Sequence, residues 1–320
     1  MFFKALPTER IPLKVRLVAW WRGYDIADIE ERMQRKNKED VPLLPAARKK
    51  PADDDSNRIL WDKDRVTVTQ LIWGDGFCGP GGPQNVIDMS KLLALSPKLS
   101  ALVVGAGLGG PARVLAKEFG VWINGYESNE LLAREGMKMS VKAGLEKKAP
   151  ITHLDLNNSP DFERQFDRAY SKEVMFTVEK KAELIKSIYD QLKENSLFLI
   201  SDYVVRNHDS LAHPDVTQWL RHEPLNPFPV TSDTMIYTLE KVGFKIRVNE
   251  DITDHYLKLI NQAWANAEQA VQSLAAEGES GRKNMFAILK EADLWNRRTK
   301  IMRQKELRVC RYLAHKPAQP

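Results

Sequence analysis

One stretch constrains this chain more than any other: Leu102-Val103-Val104-Gly105-Ala106-Gly107-Leu108-Gly109-Gly110. An apolar run ending in a glycine loop reads as a buried strand that turns into a helix. The next predicted strand ends in Gly125-Tyr126-Glu127. A carboxylate at that place suits the two hydroxyls of a ribose, so loop and acid together describe a nucleoside-binding α/β unit. Gly105, Gly107 and Gly110 also satisfy the dinucleotide spacing G-x-G-x-x-G, so the loop alone fits two cofactor classes.

The segments that follow separate those classes. Ile151-Thr152-His153-Leu154-Asp155-Leu156 reads as a third strand ending in an acid, suited to accept a hydrogen bond from an adenine amino group. Phe166-Asp167-Arg168-Ala169-Tyr170-Ser171 gives a fourth strand, and Ser196-Leu197-Phe198-Leu199-Ile200-Ser201-Asp202-Tyr203 a fifth. A helix over 232–242, with Ser232 as its cap and Gly243 after it, precedes a sixth strand at 244–248. A closing strand is expected at 308–314. This order resembles the class I S-adenosylmethionine-dependent methyltransferases and disfavours a nicotinamide-dependent oxidoreductase. The resemblance implies a Rossmann-like α/β sheet of seven strands, the last antiparallel, with S-adenosyl-L-methionine as cofactor.

Composition bounds the rest. At 320 residues the chain has room for one large domain with additions, or two small ones. Its two cysteines, Cys78 and Cys310, lie far apart and suggest no disulfide framework, so a reducing cytoplasm is the expected setting. No apolar run approaches the ~20 residues of a bilayer span, and Met1-Phe2-Phe3-Lys4 does not open a signal peptide. His213, His222, His255 and His315 show no ligand spacing, and no metal site is expected. The net charge of +5 comes with no nucleic-acid motif, and two basic regions stand out, 14–22 and 297–311.

Four segments follow. Residues 1–65 read as a basic, aromatic arm and a linker, 66–252 as the core, 253–307 as a helical lid and 308–320 as closing strand and tail. Residues 11–22 mix apolar and cationic side chains with Trp20 and Trp21, a pattern that fits an anionic membrane surface or a docking arm on the core or on a second subunit of a homodimer. Five glycines and a proline between Gly74 and Gly82 exclude regular structure there, ahead of a helix over 85–95. In the lid, Tyr256, Ile260, Trp264, Ala267, Val271 and Leu274 recur at helical spacing, and 277–281 reads as a hinge.

From Trp73 onward the chain resembles the phosphoethanolamine methyltransferases and, more distantly, the sterol and cyclopropane-fatty-acid methyltransferases. The matching residues are Trp73-Gly74, Phe77 and Gly81-Gly82, the 105–110 loop, Glu127, Asp155, Tyr170-Ser171-Lys172-Glu173, 199–203 and Trp295-Asn296-Arg297-Arg298-Thr299-Lys300. The resemblance implies that the backbone of Gly105, Ala106, Gly107 and Gly109 approaches the methionine and ribose, that Glu127 with Ser128 holds the ribose, and that Asp155 with Leu156 holds the adenine. It implies that Trp73 and Gly82 close the cofactor pocket, that Ser171, Glu173 and Tyr203 floor the acceptor site, and that Arg298 and Lys300 meet an anionic headgroup. A lipid or small amphiphilic acceptor is expected. Glu173 and Tyr203 are the candidate catalytic groups, Glu173 as a base if burial raises its pKa; the alternative is that it caps a helix or pairs with Lys172. Two positions depart from the family pattern: Val103 stands where an acid is usual, and Thr177 where the phosphoethanolamine enzymes carry a histidine. These departures keep open a degenerate relative that serves as a binding or regulatory partner.

Overall fold

The computed structural model describes residues 61–158, 160–274 and 278–318. The arm at 11–22 and the linker at 39–57 lie outside the described residues.

Strand β1 (Ser100–Val104) is buried along its whole length, as its run of apolar side chains requires of a central parallel strand. Around it lie β2 (Trp122–Glu127), β3 (Ile151–His153), β4 (Phe166–Lys172), β5 (Leu192–Val205), β6 (Lys245–Asp251) and β7 (Leu307–Lys316). The sheet order is β3-β2-β1-β4-β5-β7-β6. Strands β1 to β5 are parallel, while β7 runs antiparallel to both β5 and β6. This is the seven-stranded sheet expected for class I methyltransferases. Its strand order reverses between β1 and β4, and a doubly wound sheet opens its ligand crevice at the carboxyl ends of the strands on either side of such a switch.

The helices are α1 (Lys63–Trp73), α2 (Gly82–Ser90), α3 (Gly110–Glu118), α4 (Glu130–Lys142), α5 (Lys181–Gln191), α6 (Pro214–His222), α7 (Ser232–Val242), α8 (Thr253–Leu274) and α9 (Gly278–Arg303). Alternation along β1 divides the core: Ala101 and Val103 enter the cluster with Trp73, Trp264 and Trp295, whereas Leu102 and Val104 enter the one with Phe166 and Phe198. Val103, at the position of the missing acid, is therefore a core residue with 1% of its surface exposed.

Local differences from the sequence reading have local causes. Helix α2 ends at Ser90 because a 3-10 turn follows and Ala94 adopts a left-handed conformation at φ 47°. Thr231, not Ser232, caps α7: its hydroxyl accepts from the Thr234 amide at 3.2 Å. Helix α9 starts at Gly278, so the expected hinge runs into its first turn. In helix α6, Pro214 occupies the first turn, where a missing N–H costs nothing, and His213 caps it through Nδ1. Among the described residues no helix is long and apolar enough to cross a membrane.

Candidate active site

A cavity of about 190 Å³ opens at the carboxyl ends of β1, β2 and β4. One end is the glycine loop. Gly105, Gly107 and Gly109 all have positive φ, at 70°, 55° and 76°. A Cβ on Gly105 would stand 2.0 Å from Val174 Cγ2, which with its positive φ makes glycine the fitting residue there, while one on Gly107 would stand 3.2 Å from Cys78 Sγ, a tight approach. Glu127 fixes it from β2: Oε2 accepts from the Gly107 amide and Oε1 from the Asn129 amide, both at 2.8 Å. Burial pushes the Glu127 carboxyl up, against these amide donors, which pull it down. Ser128 and Leu156 line the same end and are tied together, the Ser128 hydroxyl accepting from the Leu156 amide at 3.1 Å. A carboxylate accepting from two amides keeps lone pairs for further donors, and the loop lets a ligand approach the backbone, so the residues present fit an adenosyl group.

Several expected residues stand elsewhere. Trp73 does not line the cavity; it lies behind Trp295, ring centroids 4.6 Å apart, and meets Trp264 edge-on at 6.1 Å. Gly82 opens α2 and Gly109 caps α3, both outside the lining. The wall expected of Trp73 and Gly82 is instead the turn Gly76, Phe77, Cys78 and Gly79. Asp155 is exposed and off the lining, its Oδ1 accepting from the Asn157 amide at 2.9 Å. Ser171 is buried within β4. Burial pushes the Cys78 thiol up to about 12, which makes it an inert group rather than a nucleophile.

Glu173 follows β4 in a left-handed conformation at φ 58°, which places its side chain at the cavity. Its Oε1 accepts from Lys172 Nζ and from the Tyr256 hydroxyl. Its Oε2 accepts from the Tyr203 hydroxyl at 3.1 Å, and the two tyrosine hydroxyls are 2.9 Å apart. Burial alone would raise this carboxyl, but Lys172 and the Tyr256 hydrogen bond outweigh it and the net direction is down. Of the two readings of Glu173, the contacts favour the pairing with Lys172 over the raised base. Tyr203 lies beneath it, buried and off the lining, its own ionisation pushed far up first by burial and then by the Glu173 charge.

The floor beyond Glu173 hangs on a residue the sequence reading gave no role. Asp202 is fully buried in β5. Its Oδ2 accepts from the amides of Val174 at 2.9 Å and Met175 at 2.6 Å; Oδ1 accepts from those of Phe176 at 3.1 Å and Tyr203 at 2.8 Å. One side chain so shapes the turn that presents Val174, Phe176 and Thr177 to the cavity.

Helix α9 forms the far wall. Glu291, Leu294, Trp295 and Arg298 recur at helical spacing on one face and all line the cavity. Arg298 does not wait for a headgroup: its Nε and one terminal nitrogen bond Glu223 at 2.6 and 2.8 Å. Lys300 lies off the lining and bonds Asp215 at 3.1 Å. Arg65 of α1, which bonds Glu291, and Glu223 carried no signal in the sequence, since each pairs across the fold. Among the described residues there is no cluster of three or more His, Cys, Asp or Glu able to hold a metal ion.

The model of the mycolic acid cyclopropane synthetase family matches residues 85–290. A phosphoethanolamine N-methyltransferase of Triticum aestivum is 23% identical over 212 residues, 66% of this chain and 41% of that protein. A 24-methylenesterol C-methyltransferase 3 of Arabidopsis thaliana is 27% identical over 164 residues, 50% of this chain and 46% of that protein. The chain thus spans less than half the length of either relative. The solved structure of phosphoethanolamine N-methyltransferase 2 from Haemonchus contortus in complex with S-adenosyl-L-methionine shares the fold, with a TM-score of 0.66 at 21% identity, covering 79% of this chain and 57% of that one. With a family match over more than half its length, laid on a seven-stranded sheet whose glycine loop opens a cavity, this chain belongs to the mycolic acid cyclopropane synthetase family.

Proposed function

We propose that this chain is an S-adenosylmethionine-dependent methyltransferase acting on a lipid or small amphiphilic acceptor. The observation that carries the proposal is one continuous cavity with two unlike ends: the glycine loop with Glu127, and a wall built from Glu173, Leu294 and Trp295. The family and the relatives named above support it.

When bound, S-adenosylmethionine supplies an electrophilic methyl group on a cationic sulfonium. Glu127 offers its remaining lone pairs to ribose hydroxyls, and the Gly105 to Gly107 backbone leaves room for the ligand to lie close. Leu294 and Trp295 exclude water from the acceptor end, which strengthens every electrostatic contact within it. Transfer is an in-line displacement, so holding the acceptor in line is the larger part of the work. Glu173 is held ionised by Lys172 and Tyr256, so its role is that of a fixed hydrogen-bond acceptor at the cavity wall, its charge offset by Lys172 and its rotation prevented by two tyrosines.

That role sets a pH dependence. A carboxylate displaced downward keeps its charge through the ordinary glutamate range, so Glu173 itself is expected to add no acid limb to the turnover profile at or above that range. An acid limb that Glu173→Gln removes would instead mark Glu173 as a raised base; a limb that survives that substitution belongs to Glu127 or Asp202, both pushed up by burial. The proposal itself is tested by calorimetric titration with S-adenosylmethionine, S-adenosylhomocysteine and, as control, NADH. A lipid-extract screen with a labelled methyl donor follows. Micromolar binding of the adenosyl compounds alone, with label entering an organic-phase product, is expected; a folded protein that binds none of them sinks the proposal.

A further inference from the structure

We infer that the acceptor end of the cavity is built for an uncharged, apolar group, because each charged side chain facing it is already neutralised by an opposite charge of the protein. This rests on the methyltransferase reading only for the word acceptor. Among the described residues, and apart from Glu127 at the glycine loop, the charged side chains lining the cavity are three cations, Arg65, Lys172 and Arg298, and three carboxylates, Glu173, Glu223 and Glu291. They pair completely: Arg65 with Glu291, Lys172 with Glu173, and Arg298 with Glu223.

Two of the pairs are closed to a competing anion, while the third, Lys172 with Glu173, is 13% exposed on each side. The Arg298 and Glu223 side chains are 9% and 2% exposed, and those of Arg65 and Glu291 are 6% and 1%. The carboxylates have further donors, Trp219 Nε1 on Glu223 and Trp295 Nε1 on Glu291, the latter at 3.1 Å. The Arg298 guanidinium lies over the rings of Trp295 at 4.6 Å, Tyr203 at 5.3 Å and Phe176 at 6.0 Å, which fixes it in place. A phosphate entering here would have to break a buried bidentate pair and leave Glu223 unpaired, a strongly unfavourable exchange. What remains for a guest is the carbon surface of Trp295, Leu294, Pro224 and Leu225, the last 49% exposed. Glu223 is therefore a specificity-determining residue: it withholds Arg298 from anionic headgroups.

The test titrates the full chain, with S-adenosylhomocysteine present, with two probes of equal chain length, 1-decanol and decyl phosphate. The wild type is expected to bind decanol at least tenfold more tightly. Glu223→Gln, which frees the guanidinium, is expected to narrow or invert that ratio by at least tenfold. Should that variant fail to fold, the double variant Glu223→Leu, Arg298→Met replaces the pair by carbon and is expected to keep the decanol preference. A wild type that prefers decyl phosphate, or that binds neither probe, overturns the inference, as does a double variant that loses the preference. Binding of S-adenosylhomocysteine is read separately in its own titration. Its absence counts against the methyltransferase reading, while the ratio between the probes still decides this one.

Discussion

Glu127→Ala is expected to weaken S-adenosylmethionine binding by about a hundredfold or more while the protein stays folded. Hydrogen bonds to a charged acceptor contribute about 1.5–3 kcal/mol each, and about 1.4 kcal/mol is a factor of ten in affinity. Two ribose hydroxyls on one carboxylate account for the loss, and a second effect adds to it. The same carboxylate holds the Gly107 amide and the Asn129 amide at 2.8 Å, so its removal also loosens the loop that admits the ligand. Glu127→Gln keeps one oxygen and is expected to fall between the two. Calorimetry on samples with native circular dichroism checks this, and an unchanged affinity would remove Glu127 from the cofactor site.

Asp202→Ala is expected to cost the fold about 3–5 kcal/mol. It orphans four amide donors at once, in a place that is 0% exposed. Each buried unsatisfied group costs about 1–3 kcal/mol, with partial relief as the turn relaxes. For a chain of this size the melting temperature should drop by roughly 6–20 °C. Asp202→Asn keeps one acceptor oxygen and should lose less. Because the turn carries Phe176 and Thr177, survivors should show a raised KM for the acceptor with cofactor affinity unchanged. A melting temperature within 2 °C or so of the parent would refute the assignment of Asp202 as the support of this floor.

The parts of this molecule legible in its sequence are those built from contiguous patterns. The apolar run and glycines of 102–110 define β1 and its loop, and Glu127 lies where the next strand ends because strand and loop lengths are local quantities. The acceptor end was not legible in the same way, since it depends on pairs that only the fold brings together. Arg65 and Glu291 are 226 residues apart, and Arg298 and Glu223 are 75 apart. Without those partners Arg298 reads as a free cation awaiting a headgroup. Glu173 shows a related limit: burial and an adjacent lysine act in opposite directions on its carboxyl, and only the three-dimensional contacts with Lys172 and Tyr256 decide which prevails. Trp73 was drawn to the cavity by its motif, but Trp295 comes between and takes the contact.

The place of β7 has a consequence for how the chain assembles. This strand is the last described element, yet it lies between β5 and β6 and pairs with β5 along ten successive residues, from Leu307 to Lys316. During synthesis the glycine loop and its parallel neighbours are complete long before residue 307 leaves the ribosome. Until it does, β5 presents an unpaired edge and β6 has no neighbour in the sheet, the situation that invites pairing with another chain. Helix α9, which walls the acceptor end, leads directly into this strand. Closing the sheet and walling the site are therefore one late event in the life of the nascent protein, carried by a single stretch of chain.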